Sequence, residues 1–194
     1  MQREPIVKEK IVLASKSPRR AEILRAVGWP FETMAAGIDE TREVSEDAVA
    51  YVKRVAQTKA AAVARKLSSG LVLGADTVVV TGGEILGKPR DREDAERMLT
   101  LLSGKWHEVV TGVVILRIGE CSRSVAAYEL TRVHFSKMSV AEIEWYLATG
   151  EPMDKAGAYA VQGGAALFIE EIRGDYFNIV GLPIRLVYEL SRKV

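Results

Sequence analysis

The sequence predicts an α/β fold built on a mixed β-sheet, and three observations carry that prediction. Helical and strand patterns alternate along the whole chain, the order expected when helices pack on a sheet. Hairpin signals sit inside that alternation. Gly82-Gly83 separates two short apolar-alternating runs, 77–80 and Glu84–Leu86, and a turn near Gly119-Glu120 joins two long ones, Trp106–Ile118 and 122–135; antiparallel pairs of this kind make the sheet mixed. No segment has the composition of a linker, so residues 1–194 are read as one domain.

The elements follow in order. Residues 11–14, Ile-Val-Leu-Ala, read as a buried strand. Ser17 as N-cap and Pro18 at the first helical position open a helix over 18–27, closed by Gly28. Ser45 caps a long helix over 45–68 with an apolar stripe of Val49, Val52, Ala56, Ala60, Val63 and Leu67, and Gly70 stops it. Residues 71–75 are a buried strand, and the Gly82-Gly83 hairpin follows. Asp91 begins a helix with Ala95, Met98, Leu99 and Leu102 inward, ended by Gly104. After the two long strands, Ser139 and Glu142 form a capping box for a helix that ends at Gly150. Residues 167–170 are a strand, and Pro183 starts the last helix.

Composition excludes several functions. A net charge of +1 gives no global field to recruit nucleic acid or an anionic membrane, so an anion site must be local. No apolar run is long enough to span a bilayer, and residues 1–5 lack a signal-peptide core. Cys121 is the single cysteine, which excludes an intramolecular disulfide and fits a reducing cytoplasm; with two histidines beside it, a structural zinc site is not expected. Trp29, Trp106 and Trp145 are not interleaved with basic residues as a stacking array for nucleic acid would be.

The most informative stretch is Ser15-Lys16-Ser17-Pro18-Arg19-Arg20. Two arginines in the first turn oppose the helix dipole, yet serine hydroxyls, free backbone N–H groups and two guanidinium forks together make a cradle for a phosphate ester or polyphosphate. A capped surface helix with two solvated arginines fits the same letters. Gly74-Ala75-Asp76-Thr77 places a carboxylate just past an apolar strand, where open sheets form binding crevices. Asp76 there can bind a divalent metal, orient a water as general base, or cap a turn. Gly87-Lys88-Pro89 presents a lysine on a fixed loop, suited to a phosphate but not a P-loop. Lys59 falls at the edge of the long helix's apolar stripe, positioned to reach a buried anion or to snorkel to water. Asp39-Glu40 can add a second carboxylate to a metal or stay solvated. His107 and His134 lie within strand patterns and are read as structural or beside substrate, with no triad spacing. Cys121 is read as a small core or turn residue. The 156–164 segment is rich in Gly and Ala, which lets a planar ligand approach the backbone, and Gln162 offers a donor and an acceptor to a base edge; a tight loop chosen for packing fits equally.

These segments together resemble the Maf family of nucleoside triphosphate pyrophosphatases, also called septum formation proteins. The resemblance runs from Leu13 to about Leu190. Its markers occur in order: the Ala14 to Arg20 stretch, Asp39-Glu40, Lys59-Ala60, Gly74 to Thr77, Leu86 to Pro89, Leu102-Ser103-Gly104 with His107 and Thr111-Gly112, Glu151 to Tyr159, and Asn178 to Pro183. The resemblance implies a curved mixed sheet with two lobes and a central cleft. It implies hydrolysis of the bond between the α- and β-phosphates, giving a monophosphate and pyrophosphate with Mg²⁺ or Mn²⁺. Ser15, Arg19, Arg20, Lys59 and Lys88 would bind the phosphates, Asp76 would accept the proton from water, and Glu40 with Asp76 would hold the metal. Arg19, Thr77 and Gln162 fall where the family distinguishes bases. The 156–163 wording is similar to the branch acting on dTTP and UTP, a housecleaning activity with a link to cell-division arrest. The alternatives are 7-methyl-GTP as substrate, or a non-catalytic nucleotide- or nucleic-acid-binding regulator of septum formation. A cytoplasmic location and a homodimer are further expectations. Ala165 departs from that branch, which often has glycine there.

Overall fold

The computed structural model describes residues 9–194; the 1–5 segment searched for a signal-peptide core lies outside them. Seven strands form one mixed sheet: β1 (Ile11–Leu13), β2 (Phe31–Thr33), β3 (Gly70–Thr81), β4 (Glu84–Leu86), β5 (Trp106–Ile118), β6 (Arg123–Phe135) and β7 (Ile169–Arg173). The order is β2-β1-β3-β5-β6-β7, with β4 also on β3. β1 runs parallel to β2 and to β3, whereas β3 with β4 and β6 with β7 are antiparallel. The helices are α1 (Pro18–Ala26), α2 (Ala48–Ala64), α3 (Arg92–Leu102), α4 (Val140–Ala148), α5 (Tyr176–Val180) and α6 (Ile184–Ser191), with short 3₁₀ turns at Glu151–Asp154, Ala156–Ala158 and Gly164–Phe168.

Several sequence expectations hold to the residue. Gly82 and Gly83 both take positive φ, 55° and 82°, as the two-residue hairpin turn between Thr81 and Glu84 requires. The Asp91 side chain caps α3 by accepting from the Asp94 N–H, and Ser139 with Glu142 closes a reciprocal capping box on α4. Others need correction. α2 starts at Ala48, not 45, because the Asp47 carboxylate accepts from the Ala50 N–H and takes the cap from Ser45. Ser17 is the N-cap of α1 by position, but its side chain makes no cap bond. β3 does not end at Ala75: it runs twelve residues, so Asp76 lies inside a strand rather than past one. β7 begins at Ile169 because residues 164–168 close a 3₁₀ turn first.

The chain divides into two compact units. The first holds the described residues up to Asp76, Thr111–Glu129 and Gly181–Val194; the second holds Thr77–Val110 and Leu130–Val180. In the first unit Val52, Val55, Ala56, Ala60 and Val63 of α2 are buried, and Val12, Ala14, Val72 and Val114 join three of them in one core cluster. In the second unit α3 and α4 supply Leu99, Leu102, Ile143 and Tyr146 to a core shared with Val109, Phe135, Tyr159 and Phe168.

Candidate active site

Two glycines set the geometry of the first unit. A Cβ on Gly74 would lie 2.1 Å from the Ala56 carbonyl oxygen, and one on Gly112 would lie 2.5 Å from the Val52 carbonyl. α2 therefore rests directly against β3 and β5, closer than any side chain would permit. Lys59, one turn past Ala56, is carried over the strand at Asp76. The Lys59 ammonium lies 2.8 Å from Asp76 Oδ1 and 2.9 Å from Glu40 Oε2. Lys59 and Asp76 are only 8 % and 7 % exposed, whereas the Glu40 side chain is half exposed. Of the two readings of Lys59, reach toward a buried anion is the one realised.

Glu40 comes from an irregular segment held by α2 on two anchors. The Tyr51 hydroxyl donates to the Glu40 carbonyl at 2.7 Å. Arg54 donates to the Thr41 carbonyl and pairs with the Glu46 carboxylate. Burial, with the charges of Asp76 and Glu40, pushes the Tyr51 hydroxyl up to about 12, so it stays a neutral donor. Neither Tyr51 nor Arg54 was singled out from sequence. Their spacing on α2 (i, i+3) was a usable signal only once the segment they hold was known.

Arg20 is 8 % exposed. Its Nε donates to the Gly181 carbonyl at 2.8 Å and its Nη1 to Ser15 Oγ at 3.1 Å, and the same Oγ accepts from the Ser17 N–H. Ser15 thus ties the Arg20 guanidinium to the backbone at the start of α1, while the N-cap residue Ser17 makes no side-chain cap bond there. Burial lowers the Arg20 pKa, Asp76 and Glu40 raise it, and Arg19 lowers it further. Arg20 and Lys59 against Asp76 and Glu40 make two cations and two carboxylates. Arg19, half-buried on the same turn, adds a third cation. Ser15, Arg20, Lys59, Asp76 and Glu40 thus lie in the first unit, with Lys59 on both carboxylates and Arg20 in their field.

Thr77, Lys88 and Gln162 belong to the second unit. Thr77 is half-buried in β3, directly after Asp76; Lys88 and Gln162 are exposed. The loops carrying these last two are joined, because the Gly157 N–H donates to the Gly87 carbonyl at 3.0 Å. Gly157 needs its positive φ of 68°, and a Cβ there would meet Val79 Cγ2 at 2.7 Å. Ala165 is fully buried and does not take positive φ, so its methyl is core and asks nothing that glycine alone can give. His107 is buried, shares a 2.9 Å hydrogen bond with the Tyr159 hydroxyl, and packs edge-on to Phe135 and Tyr159. His134 pairs with Glu170 at 2.9 Å. Trp106 carries Arg132 and Arg173 over its ring at 5.1 and 4.6 Å, cations that sequence neighbours alone did not reveal. Cys121 is exposed in the turn between β5 and β6, a turn residue rather than a core one.

Among the described residues no three His, Cys, Asp or Glu side chains gather into an all-protein metal cage, and no helix is long and apolar enough to cross a membrane. Asp76 and Glu40 are a pair, and they already converge on one positive point, the Lys59 ammonium.

The family model described as Maf-like protein matches residues 10–194. A protein of Symbiobacterium thermophilum named dTTP/UTP pyrophosphatase is 48 % identical over 182 residues, covering 94 % of this chain and 92 % of the relative. One of Pelotomaculum thermopropionicum with the same name is 49 % identical over 185 residues, covering 95 % and 96 %. The structure of the Staphylococcus aureus Ham1 protein superposes with a TM-score of 0.45 at 16 % identity, covering 66 % of this chain and 72 % of that one.

Proposed function

Because the chain belongs to the Maf-like protein family, we propose that it is a nucleoside triphosphate pyrophosphatase that cleaves dTTP and UTP to the monophosphate and pyrophosphate. The single observation that carries this reading is the Lys59 ammonium, buried between Asp76 and Glu40, with Arg20 adding its charge to the same field. Phosphoryl chemistry asks the protein mainly for positioning and for charge against the leaving oxygens. Three cations, Arg19, Arg20 and Lys59, against two carboxylates supply both without a strongly charged surface. The relatives' shared name, at about half identity over nearly the full length of both chains, supports the same substrates.

In this reading Ser15, Arg19, Arg20, Lys59 and Lys88 bind the phosphates. Asp76 orients a water and takes its proton as the α–β anhydride bond breaks, and pyrophosphate departs with the bridging oxygen. Lys59 holds the Asp76 carboxylate in place through its 2.8 Å contact with Oδ1. Thr77, Gln162 and Arg19 select the base. Lys59 takes Asp76 Oδ1 and Glu40 Oε2, so a divalent cation would be held by the second oxygen of each carboxylate together with phosphate oxygens. Mg²⁺ or Mn²⁺ bound there supplies charge neutralisation of the phosphate oxygens. A cytoplasmic setting is supported by a single exposed thiol.

The test is product analysis with UTP, dTTP, CTP, GTP and 7-methyl-GTP in Mg²⁺ or Mn²⁺. UMP plus pyrophosphate, with UTP and dTTP turned over fastest, is expected. UDP plus orthophosphate, or no turnover of UTP, would refute the reading.

A further inference from the structure

The turn that presents Gln162 is fixed by a closed set of hydrogen bonds within the second unit. The Gly163 N–H donates to the Ala160 carbonyl at 3.1 Å, which makes 160–163 a tight turn with Val161 buried and Gln162 exposed at its tip. At one end of the turn the Ala160 N–H donates to the Tyr146 hydroxyl at 3.1 Å. Just past the other end the Gly164 N–H donates to Glu151 Oε2 at 3.2 Å. The ring is completed by the Tyr146 hydroxyl, which donates to Glu151 Oε1. A Cβ on Gly163 would lie 2.0 Å from Glu151 Oε2 and 2.3 Å from Oε1, so the backbone lies directly on the carboxylate.

Both anchors stand on rigid ground. Tyr146 is fully buried on α4. Glu151 opens the 3₁₀ turn that follows Gly150, with its own carbonyl held by the Lys155 ammonium at 2.8 Å. A carboxylate is an acceptor on both oxygens, so Glu151 alone can take the hydroxyl and the amide at once. An amide in its place would have only one accepting atom.

We propose that Glu151, acting with Tyr146, is the positioning residue for base selection. It touches no substrate and fixes the turn so that the Gln162 amide meets a uracil or thymine edge in one register. This rests on the pyrophosphatase reading above. A mobile turn can shift to bring the amide onto cytosine, whereas a pinned turn fixes the point from which the Gln162 side chain reaches the base, so a mismatched edge cannot be met by moving the backbone.

The experiment compares kcat and KM for UTP and CTP in the wild type, Glu151→Ala, Glu151→Gln and Tyr146→Phe, each alone and with Gln162→Ala. Hydrogen exchange is followed at the Ala160 and Gly164 amides. Glu151→Ala should cut the preference for UTP over CTP by roughly 10- to 100-fold, the scale for a displaced positioning group, mainly through KM. Exchange at both amides should rise while β5 amides stay protected. Glu151→Gln should recover part of the preference, and Glu151→Ala should change little further once Gln162 is already alanine. Should Glu151→Ala fail to fold, Tyr146→Phe removes one hydroxyl from the same ring, keeps the buried aromatic, and must shift the preference in the same direction. An unchanged UTP preference in the variants, or losses that simply add to those of Gln162→Ala, would overturn the positioning role. A wild type that does not favour UTP over CTP would overturn the dTTP and UTP reading instead.

Discussion

Acidification should unfold this protein partly through one histidine. His107 is buried against Phe135 and Tyr159, and its pKa is depressed from 6.5 to about 4, chiefly by desolvation, with the Lys105 backbone raising it and His134 lowering it by less. The folded state therefore holds a neutral imidazole while the unfolded chain takes up a proton as pH falls through 6.5. The unfolded state binds more protons across that window, so stability falls on acidification. The loss is about 1.4 kcal/mol at pH 5.5 and about 2.5 kcal/mol at pH 4.5, and it is absent above pH 7.5. Carboxylates held low by their partners, Asp94 and Glu142 among them, also lose stability on acidification, but equally in a variant. His107→Gln keeps a polar partner for the Tyr159 hydroxyl and removes the titrating ring. It should be less stable than the wild type at pH 7.5, because two aromatic contacts are lost, yet its stability should fall less steeply with acid. Urea unfolding of both proteins at pH 7.5, 5.5 and 4.5 measures this. Parallel curves down to pH 4.5 would show that the imidazole is not held neutral, and the account of the His107–Tyr159 pair would fail.

Three further outcomes follow from the first unit. Asp76→Asn should leave the fold intact and lower turnover of UTP by about 10²- to 10⁴-fold; a near-wild-type rate in the purified variant removes Asp76 as the base. Gly74→Ala puts a Cβ 2.1 Å from the Ala56 carbonyl oxygen, so it should destabilise by about 1–3 kcal/mol or more, read as a drop in the urea midpoint; an unmoved midpoint would mean that α2 does not rest on β3 there. Tyr51→Phe loses one hydrogen bond to the Glu40 carbonyl, about 1 kcal/mol, and should raise the Mn²⁺ concentration needed for half-maximal turnover; an unchanged metal dependence would take Glu40 out of the metal site.

The fold class was legible because the strongest signals in this chain are local. Gly82-Gly83, Asp91 and the Ser139–Glu142 pair each fix backbone geometry within four residues, and each appears as read. The errors arose where a residue's role is set by something distant. The strand over 71–75 is read as ending before Asp76, yet β3 runs on to Thr81, and the missing side chain of Gly74 serves to admit α2. Ser45 reads as a cap, but Asp47 two residues on competes for the same helix start and wins, while Glu46 is drawn to Arg54. β2 was not predicted because three residues, Phe-Glu-Thr, carry no period of their own; they pair because β1 lies alongside.

The candidate site divides along the same line. Lys59 was visible because a lone lysine at the edge of an apolar stripe has only two fates, and its neighbour Ala60 showed how near the core it lay. Its partner was not visible, since Asp76 lies 17 residues away and the two meet only because Gly74 and Gly112 let the helix settle onto the sheet. Selection of a base poses the harder problem. Gln162 could be picked out by its chemistry, but an exposed amide on a Gly-rich segment discriminates nothing unless its turn is held. The residues that hold it, Tyr146 and Glu151, look in the sequence like a helix aromatic and a solvated acid. Only the hydrogen bonds from Ala160 and Gly164 to that pair distinguish them from any other. A phosphate site can be inferred from an excess of like charge in a short stretch. Base selection depends on groups that never touch the base, and these become apparent only when the backbone N–H groups of the loop are accounted for one by one.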